Sequence, residues 1–414
     1  MSSKCRFCSN DLIYTVVDLG MSPLCESYIM PEQVNDMEKF YPLHAFICHH
    51  CWLMQLEEFV SPNEIFSDYA YFSSYSESWV EHARKYTELM IDRFDINLSN
   101  LVVEIASNDG YLLQWFLQKG IPVLGVEPAA NVAEVARGKG IRTETQFLGK
   151  NIAKKMVEKY GKADLLIGNN VLAHVPNIND FVEGLKEMLG TDGVITMEFP
   201  HLQRLIEGNQ FDTIYHEHFS YLSLVAVNRI FAFHGITIFD VEEIPTHGGS
   251  LRIYGRHSHN NKLKITNRVI DLIQREQGLG FENLSYYANF QEQVKETKRK
   301  LLHFLIEAKR DGKTIVGYGA PGKGNTLINY CGIRTDFLDF TVDKSPYKQN
   351  NFLPGSHIPI LYPKAIKQTK PDYVLILPWN LKDEIINEHK YIKDWGGRFV
   401  VPIPELAIIE EYAS

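Results

Sequence analysis

The stretch Leu101-Val-Val-Glu-Ile-Ala-Ser-Asn-Asp-Gly110 joins an apolar strand-like run to a turn and then to a helix-like segment that reaches Lys119. Such a run, turn and helix are typical of the start of a βαβ unit. The strand-like segments that follow alternate with helix-like ones and lie at residues 122–126, 163–168 and 193–199. This alternation predicts an α/β domain with a parallel sheet, which binds ligands at the carboxyl ends of its strands.

A second α/β unit is predicted from residue 314 to the end of the chain. Its strand-like segments lie at residues 314–318, 340–342, 373–377 and 398–401. Before it, residues 236–241 and 250–255 predict a closing strand pair for the first sheet, and residues 261–310 form a polar helical connector. We therefore predict three parts, a cysteine-rich module at residues 1–75, an α/β domain at 76–260, and the connector with a second α/β domain at 261–414.

Four of the six cysteines form two C-x2-C pairs, Cys5 with Cys8 and Cys48 with Cys51. Two thiolates from each of two turns complete the tetrahedral set that a structural Zn²⁺ ion prefers. Paired cysteines in a reducing compartment more often bind metal than form disulfides. With four thiolate ligands no coordination position stays open, so this zinc is expected to hold structure and to do no chemistry.

Composition excludes several classes of protein. The 414 residues include 42 Lys and Arg against 51 Asp and Glu, a net charge of −9, which is poorly suited to binding a nucleic-acid backbone. No apolar run approaches the roughly 18 residues of a membrane span. The first residues lack the basic and then apolar pattern of a signal peptide. These features predict a cytoplasmic protein with no nucleic-acid or membrane partner.

The turn after the first strand is rich in acidic residues. Glu104 lies in that strand, Asp109 in the turn, and Glu127 ends the next strand. A carboxylate at the second strand's end is suited to bind both hydroxyls of an unphosphorylated ribose. Because the turn lacks the extra glycines that admit a pyrophosphate, it predicts an adenosine ligand without phosphates, and S-adenosylmethionine (SAM) fits an acidic pocket through its positive charges. A purely structural turn is the alternative.

A second turn, Gly317-Tyr-Gly-Ala-Pro-Gly322, matches the G-x-G-x-x-G fingerprint of dinucleotide binding. Asp339 or Asp343 lies at about the right distance for the acidic residue that completes it. Pro321 and Lys323 are not typical of the fingerprint, however, and Gly-rich turns at helix starts bind many phosphates. A nucleotide-diphosphate site or a structural role is therefore favoured over NAD.

Three further segments carry side chains suited to catalysis. His174 follows a predicted strand of the first sheet, although a single histidine more often packs in a loop. Tyr215-His-Glu-His-Phe-Ser-Tyr221 gathers imidazoles, a carboxylate and phenols that can transfer protons near neutral pH. An exposed polar loop is the alternative. His247-Gly-Gly-Ser250 is a tight turn whose backbone amides can approach a substrate, or else an ordinary hairpin turn.

These segments occur together in an order that resembles one family, the three-domain zinc-containing SAM-dependent nucleotide-sugar C-methyltransferases of the tetronitrose C-3′-methyltransferase type. The resemblance covers essentially the whole chain. The motifs that carry it are the two cysteine pairs, Val103-Glu-Ile-Ala-Ser-Asn-Asp-Gly110, Asn169-Asn-Val-Leu-Ala-His174, Tyr215–Tyr221, His247-Gly-Gly-Ser250 and Gly317-Tyr-Gly-Ala-Pro-Gly-Lys-Gly-Asn325. Ala106, where many relatives have glycine, and Cys25, where they have a small residue, depart from the family pattern.

The resemblance implies a zinc-binding module, a class I SAM-methyltransferase Rossmann-like domain and a second Rossmann-like domain that helps to bind a nucleotide sugar. The implied substrate is a nucleoside-diphosphate-linked 4-keto-6-deoxyhexose, with thymidine or guanosine as the nucleoside, and methylation takes place at C-3′. A base removes the C-3′ proton, and the resulting enolate attacks the methyl group of SAM.

The resemblance also implies roles for residues. His218 is the implied base, and the surrounding catalytic group is Tyr215, Glu217 and His174. The implied SAM-binding residues are Glu104, Ser107, Asn108, Asp109, Gly110, Glu127 and Asn169. The implied substrate-binding residues are His247, Gly248, Gly249, Lys323 and Asn325.

Two other classes of protein stay open at this point. One is an NAD-dependent nucleotide-sugar oxidoreductase that uses the loop at residues 317–322, against which the acidic first turn argues. The other is a non-catalytic scaffold built around the zinc module, which has no use for the cluster at residues 215–221. The sequence is compatible with a monomer and does not determine the nucleoside or the sugar stereochemistry.

Overall fold

The computed structural model describes residues 4–62, 64 and 72–410. Part of the predicted cysteine-rich module, at residues 1–3, 63 and 65–71, lies outside the described residues. The chain folds into two compact units, each assembled from separate segments. The first unit contains Met1–Tyr14, Ile47–Leu202 and Glu217–Leu284, and the second contains Thr15–Phe46, Gln203–His216 and Ser285–Ser414.

The strands of the described residues are, in chain order, β1 (Tyr14–Ser22), β2 (Tyr41–Ile47), β3 (Met54–Leu56), β4 (Val102–Ile105), β5 (Val123–Val126), β6 (Thr143–Glu144), β7 (Ala163–Asn169), β8 (Leu189–Pro200), β9 (Ser220–Tyr221), β10 (Ile236–Ile244), β11 (Ser250–His257), β12 (Ile315–Tyr318), β13 (Thr341–Val342), β14 (Ile360–Leu361), β15 (Tyr373–Ile376), β16 (Arg398–Val401) and β17 (Ala407–Ile409).

The helices of the same residues are α1 (Glu77–Phe94), α2 (Leu113–Gln118), α3 (Ala130–Gly138), α4 (Lys150–Tyr160), α5 (Ile178–Met188), α6 (Leu202–Glu207), α7 (Leu224–Phe233), α8 (Asn267–Leu279), α9 (Leu284–Ala288), α10 (Phe290–Arg310), α11 (Gly322–Cys331), α12 (Ala365–Thr369) and α13 (Lys382–His389). No helix among the described residues combines the length and the apolar character that crossing a membrane requires.

The first unit is built on a seven-stranded sheet with the order β10-β11-β8-β7-β4-β5-β6. Strands β4 to β8 run parallel, whereas β11 is antiparallel to both β8 and β10. The parallel sheet and the closing strand pair predicted from the sequence are confirmed. Every residue of β4 is buried, because the strand is central and both of its faces are covered.

Helix α1 precedes the sheet and packs through one face. Its buried residues Trp79, Ala83, Tyr86 and Met90 recur at the three- and four-residue spacing of a helix. They join the same hydrophobic cluster as Phe116 of α2. Ser76 caps the helix by accepting a hydrogen bond from the Trp79 amide, which satisfies one of the free donors of the first turn.

The second unit is built on a six-stranded sheet with the order β14-β13-β12-β15-β16-β17. The pairs from β14 to β16 are parallel, and β17 is antiparallel to β16. Strand β12 is central, and the Gly-rich turn and α11 follow at its carboxyl end. This is the second Rossmann-like α/β unit predicted from residue 314, so that prediction is confirmed.

A small antiparallel pairing in the first unit joins two distant parts of the chain. Strand β3 pairs with β9, with Met54 opposite Tyr221 and Gln55 opposite Ser220. Strand β3 follows the second cysteine pair, and β9 ends the predicted cluster at residues 215–221. These strands were not predicted from the sequence, because runs of two or three residues are too short to show a period.

Candidate active site and metal centre

The four cysteines of the two pairs form one cluster in the first unit, with their Sγ atoms all within 4.8 Å of one another. Sγ of Cys5 lies 3.5 Å from Sγ of Cys51, and Sγ of Cys8 lies 3.4 Å from Sγ of Cys48. A tetrahedral ion with Zn–S bonds of about 2.3 Å requires sulfur separations of about 3.8 Å. The cluster therefore fits zinc with little rearrangement.

Two side-chain amides support this cluster. Nε2 of Gln55, which is buried, donates a hydrogen bond to Sγ of Cys5 at 3.1 Å. Nδ2 of Asn10 donates to Sγ of Cys8 at 3.4 Å. Donors to the sulfur atoms stabilise thiolates and orient them toward a metal, as the outer shell of a metal site does.

Glu104, at the end of the central strand β4, is fully buried. Neither of its carboxylate oxygens has a hydrogen-bond partner among the described residues. Burial raises its pKa well above the ordinary value, and the nearby carboxylates of Glu127, Asp109 and Glu198 act in the same direction. A buried carboxylate without donors is costly, so this position calls for a ligand that supplies positive charge or donors.

The turn after β4 folds tightly around the next carboxylate. Asn108 has a positive φ of 49°, and Gly110 has a φ of 77° in a place where a Cβ would lie 2.3 Å from Cδ1 of Ile141. The two oxygens of Glu127 accept hydrogen bonds from the backbone amides of Asn108 and Ala129, each at 2.9 Å. Each oxygen retains a second lone pair, so Glu127 holds the turn and can still accept donors from a ligand.

Asn169 ends strand β7, next to the turn after β4. Its neighbour Gly168 pairs with Ile105 of β4, which brings the two carboxyl ends together. The side chain is buried, and both its amide nitrogen and its oxygen lack partners among the described residues. Oγ of Ser107 and Oδ1 of Asp109 are buried without partners in the same way. Several unsatisfied polar groups at one sheet edge mark a binding site.

His174 and His218 come together in the first unit. His174 ends a short 3₁₀ helix after β7, and the two ring centroids lie 4.7 Å apart in an edge-to-face arrangement. Burial lowers the pKa of His174 to about 4, against the opposing effect of a hydrogen bond with the backbone of Glu217. The imidazole of His174 is therefore neutral at pH 7.

The remaining predicted catalytic residues lie on the same segment as His218. Glu217 is buried and belongs to the first unit with both histidines. Tyr215 belongs to the second unit, where its neighbour His216 packs edge-to-face against the ring of Tyr41. The structure thus brings Glu217, His174 and His218 into one unit, whereas Tyr215 belongs to the other.

His247 lies in the turn between β10 and β11. Its φ of 55° is left-handed, and Gly248 and Gly249 follow with φ values of 90° and 115° that favour glycine. The imidazole Nε2 lies 3.0 Å from Nδ2 of Asn170, and the ring lies 5.0 Å from that of Trp79. The turn therefore folds back on the carboxyl end of β7.

A network of polar and charged side chains that was not predicted from the sequence lies next to Trp79 and contains His82, Glu198 and Arg252. The Trp79 ring stacks on His82 at 4.9 Å, and Nε2 of His82 lies 2.9 Å from Oε2 of Glu198. The other oxygen of Glu198 accepts a hydrogen bond from Nε of Arg252 at 2.6 Å. Burial alone would raise the pKa of Glu198, but His82 and Arg252 outweigh it and lower that pKa. A glutamate inside the apolar strand β8 was the available signal.

The Gly-rich turn after β12 is packed tightly against protein atoms. A Cβ on Gly322 would lie 2.8 Å from Sγ of Cys25, and one on Gly324 would lie 2.8 Å from Cβ of Leu377. Oδ2 of Asp343 accepts a hydrogen bond from the backbone amide of Ala320 at 2.7 Å. These glycines therefore serve close packing, and Asp343, one of the two acidic residues considered for the dinucleotide fingerprint, binds the turn itself.

Lys323 and Asn325 follow this turn on α11. Nζ of Lys323 donates to Oδ1 of Asn380 at 2.9 Å and lies 4.6 Å from the ring of Trp379. Desolvation lowers the pKa of Lys323, and the charge of Asp212 opposes this effect. Asn325 is buried, and its Nδ2 has no partner among the described residues.

Asp212 was not predicted as a member of this cluster. Burial raises its pKa to about 7, and its Oδ2 accepts a hydrogen bond from Nε1 of Trp379 at 2.8 Å. Its Oδ1 is buried without a partner in the described structure. Asp212 is far from Lys323 in sequence, and nothing in the local pattern connects the two.

Three family models match the chain. They are a putative zinc-binding domain at residues 5–66, a methyltransferase domain at 79–241 and a C-methyltransferase C-terminal domain at 245–404. C-methyltransferase NovU from Streptomyces niveus is 35% identical over 406 residues, which is 98% of this chain and 96% of the relative.

Solved structures resemble part of the chain. Magnesium protoporphyrin IX methyltransferase from Synechocystis PCC 6803, with bound S-adenosylhomocysteine, is 15% identical over 43% of this chain and 83% of its own, with a TM-score of 0.35. An S-adenosylmethionine-dependent methyltransferase from Clostridium acetobutylicum is 11% identical over 43% of this chain and 92% of its own, with a TM-score of 0.36.

The Rossmann-like first unit, the polar groups at its sheet edge and the four-cysteine cluster define a SAM-dependent methyltransferase with a zinc-binding module. The chain belongs to the C-methyltransferase family, as its match to NovU over nearly the whole length shows. The predicted family, SAM cofactor and zinc ion are therefore confirmed.

Proposed function

We propose that this enzyme methylates C-3′ of a nucleoside-diphosphate-linked 4-keto-6-deoxyhexose, in the biosynthesis of an unusual deoxysugar. The observation that carries the proposal is the pairing of His174 with His218, whose rings lie 4.7 Å apart in the methyltransferase unit. Methylation at carbon requires removal of a C–H proton, and a histidine pair at neutral pH supplies the base. NovU, the relative that spans nearly the whole chain, is itself a C-methyltransferase.

SAM supplies an electrophilic methyl group, and the protein must generate the carbon nucleophile. The 4-keto group acidifies the proton on C-3′, and His218 accepts that proton. The resulting enolate carbon forms a C–C bond with the methyl group as the S–C bond breaks, and S-adenosylhomocysteine leaves. The electron pair of the broken bond returns to sulfur, so the positive charge of the sulfonium is neutralised.

The neighbours of His218 stabilise this step. His174 is neutral, because burial lowers its pKa to about 4, so it can donate a hydrogen bond to the developing enolate oxygen. Glu217 is buried next to His218 in sequence, where its carboxylate can orient or charge-tune an imidazole. Tyr215 is proposed as a second donor to the enolate oxygen.

The polar groups at the sheet edge are proposed to bind SAM. The carboxylate of Glu104 and the side-chain amide of Asn169 have no hydrogen-bond partners among the described residues, and they suit a ligand that carries positive charge and hydrogen-bond donors. Glu127 is proposed to accept hydrogen bonds from the ribose hydroxyls. The turn residues Ser107, Asn108, Asp109 and Gly110 complete the proposed set.

Two sets of residues are proposed to hold the sugar nucleotide. His247, Gly248 and Gly249 form a turn that folds back on β7, where backbone amides can reach the sugar. Lys323 and Asn325 at the start of α11 are proposed for the diphosphate and the nucleoside, which is thymidine or guanosine. The domain bounds stay a prediction, with a zinc module at residues 1–75, a methyltransferase domain at 76–260 and a nucleotide-sugar-binding part at 261–414. The cytoplasmic location also stays a prediction.

The direct test supplies the purified protein with SAM and either a thymidine- or a guanosine-diphosphate-linked 4-keto-6-deoxyhexose. The proposal expects one sugar nucleotide to gain a single methyl group by mass spectrometry, and NMR to place that group on C-3′. A methyl group on oxygen, on nitrogen or on another carbon would contradict the proposed reaction, and so would the absence of turnover with both substrates when S-adenosylhomocysteine binds normally.

A further inference from the structure

The guanidinium of Arg6 contacts both loops that carry the histidine pair. Arg6 lies between the two cysteines of the first C-x2-C pair. Its Nη1 donates to the backbone oxygen of Pro176 at 3.0 Å, and its Nη2 donates to the backbone oxygen of Leu56. Its guanidinium carbon also lies 5.3 Å from the centroid of the Phe219 ring.

These contacts fall next to the proposed catalytic residues. Pro176 is two residues after His174, and Phe219 immediately follows His218. Leu56 is the last residue of β3, and its backbone amide donates to the backbone oxygen of Phe219 at 3.1 Å. One side chain from the first cysteine pair thus bridges the loop of His174, strand β3 and the loop of His218.

The backbone of the same cysteine turn has a second attachment. Nδ2 of Asn179, in helix α5 just beyond the His174 loop, donates to the backbone oxygen of Phe7 at 2.9 Å. Oδ1 of Asn179 lies 2.8 Å from Nε2 of His234. The cysteine turn is therefore attached to the segment that follows His174 through the side chains of both Arg6 and Asn179.

The environment of Arg6 suits geometric control more than stability. The Arg6 side chain is half-buried in this position. Its two hydrogen bonds go to neutral carbonyl oxygens, and no carboxylate forms an ion pair with it within the described residues. A planar guanidinium can donate in two directions and stack on an aromatic ring at once, which a lysine ammonium cannot do.

We propose that Arg6 is a positioning residue that fixes His174 and His218 at their working separation, with the zinc site as its rigid support. The inference rests on the proposed function, because it assigns the histidine pair to catalysis. It gives the zinc module a role in the reaction beyond its own folding, although no step of the reaction takes place at the metal.

The test compares Arg6→Met and Arg6→Lys with a matched control, Arg229→Met. Arg229 also donates to a cysteine turn, through the backbone oxygen of His50 at 3.2 Å, and its other hydrogen bond within the described part of the chain goes to Glu282, away from the histidine loops. For Arg6→Met we expect kcat to fall about 10²-fold, the loss that a displacement of about 1 Å can cause. The KM for sugar nucleotide, the Kd for S-adenosylhomocysteine and the zinc content should stay within twofold.

Arg6→Lys should recover part of kcat, because it keeps the charge but not the bidentate geometry, and Arg229→Met should keep wild-type kcat. Equal losses in Arg229→Met and Arg6→Met, or a wild-type kcat in Arg6→Met, would overturn the inference. If Arg6→Met loses zinc or fails to fold, Arg6→Lys decides alone, with a reduced kcat supporting the role of Arg6 and a wild-type kcat overturning it.

Amide hydrogen exchange provides a readout that does not depend on the identity of the substrate. Peptides that cover residues 172–176 and 217–221 should exchange their amide hydrogens faster in Arg6→Met than in the wild type. In Arg229→Met the exchange rates of the same peptides should equal those of the wild type. Unchanged exchange in both peptides of Arg6→Met would show that Arg6 does not hold the loops. If the wild-type enzyme methylates no 4-keto sugar nucleotide, the proposed function fails, and the exchange comparison still tests the positioning role.

Discussion

The rings of His174 and His218 meet in an edge-to-face arrangement at a centroid distance of 4.7 Å, with their planes at 71° to each other. One ring follows a central strand of the sheet, and the other precedes the short strand β9. Because burial holds His174 neutral, a proton accepted by His218 has no cationic neighbour in that ring to oppose it.

Replacing His218 with alanine removes the proposed base. We expect kcat to fall by about 10²- to 10⁴-fold, the usual contribution of a positioned base, while the affinity for S-adenosylhomocysteine is unchanged. Single-turnover methylation and calorimetric titration measure the two quantities. Turnover close to that of the wild type would eliminate His218 as the base, and loss of S-adenosylhomocysteine binding would indicate a misfolded site instead.

The low pKa of His174 predicts a pH dependence of stability. The unfolded chain binds a proton near pH 6.5, whereas the folded chain binds it near pH 4. The stability contributed by the neutral ring is therefore present above pH 6.5 and is lost as the pH falls toward 4. His174→Asn should reduce the slope of the free energy of unfolding between pH 4 and 6.5 in denaturant titrations, and the exposed His303→Asn serves as control. An unchanged slope would contradict the burial of His174 in neutral form.

Glu104→Gln should weaken cofactor binding. A hydrogen bond to a charged group contributes about 1.5–3 kcal/mol, so the Kd for SAM should rise by about 10- to 150-fold. Glu134→Gln, at an exposed carboxylate of α3, should leave the Kd unchanged. Calorimetric titration with SAM measures both variants. Equal affinity of Glu104→Gln and the wild type would place the positive charge of the cofactor elsewhere.

Lys323→Ala should raise the KM for the sugar nucleotide about tenfold or more, because one charge-assisted hydrogen bond to the diphosphate is lost. The Kd for SAM should not change, since Lys323 is not among the proposed SAM-binding residues. Lys344→Ala, at an exposed lysine of the same unit that pairs with Glu388, is the matched control. A KM equal to that of the wild type would show that the diphosphate does not bind at Lys323.

Loss of zinc should destabilise the enzyme. Cys48→Ser leaves three thiolates in a cluster that needs four, and the free energy of metal binding is part of the folding free energy. We expect a lower Tm than for the wild type and less than one zinc per chain by atomic spectroscopy. Cys331→Ser, at a buried cysteine outside the cluster, controls for the loss of a thiol and should keep its zinc. Full zinc content in Cys48→Ser would contradict the four-cysteine site.

The sequence was sufficient for two features that a local period or a fixed spacing encodes. The strand and helix alternation after residue 101 predicted the first sheet, and the two C-x2-C pairs predicted the cysteine cluster. The G-x-G-x-x-G match at residues 317–322 was ambiguous for a clear reason. A glycine in the sequence shows that something approaches the backbone closely, but it does not show whether that group is a phosphate or a protein side chain. Here Gly322 packs against the side chain of Cys25.

The members of the site that the sequence analysis missed are those whose partners are distant. The contacts of Arg6 with Pro176, Leu56 and Phe219 join residues that are far apart in the sequence. Asp212 becomes unusual only because Trp379 and Lys323 lie beside it in a buried setting that raises its pKa. No spacing rule connects such residues, since their approach depends on how whole elements pack.

By itself the sequence determined the class of the two sheets, the metal ligands and the set of residue types available for chemistry, because periodicity and ligand spacing depend on neighbours along the chain. Only the tertiary structure decided which groups meet. The 4.7 Å approach of His174 to His218, the burial of Glu104 without donors and the bridge formed by Arg6 arise where separate segments converge. Burial and charge in such places depend on distance in space, and that distance is set by packing.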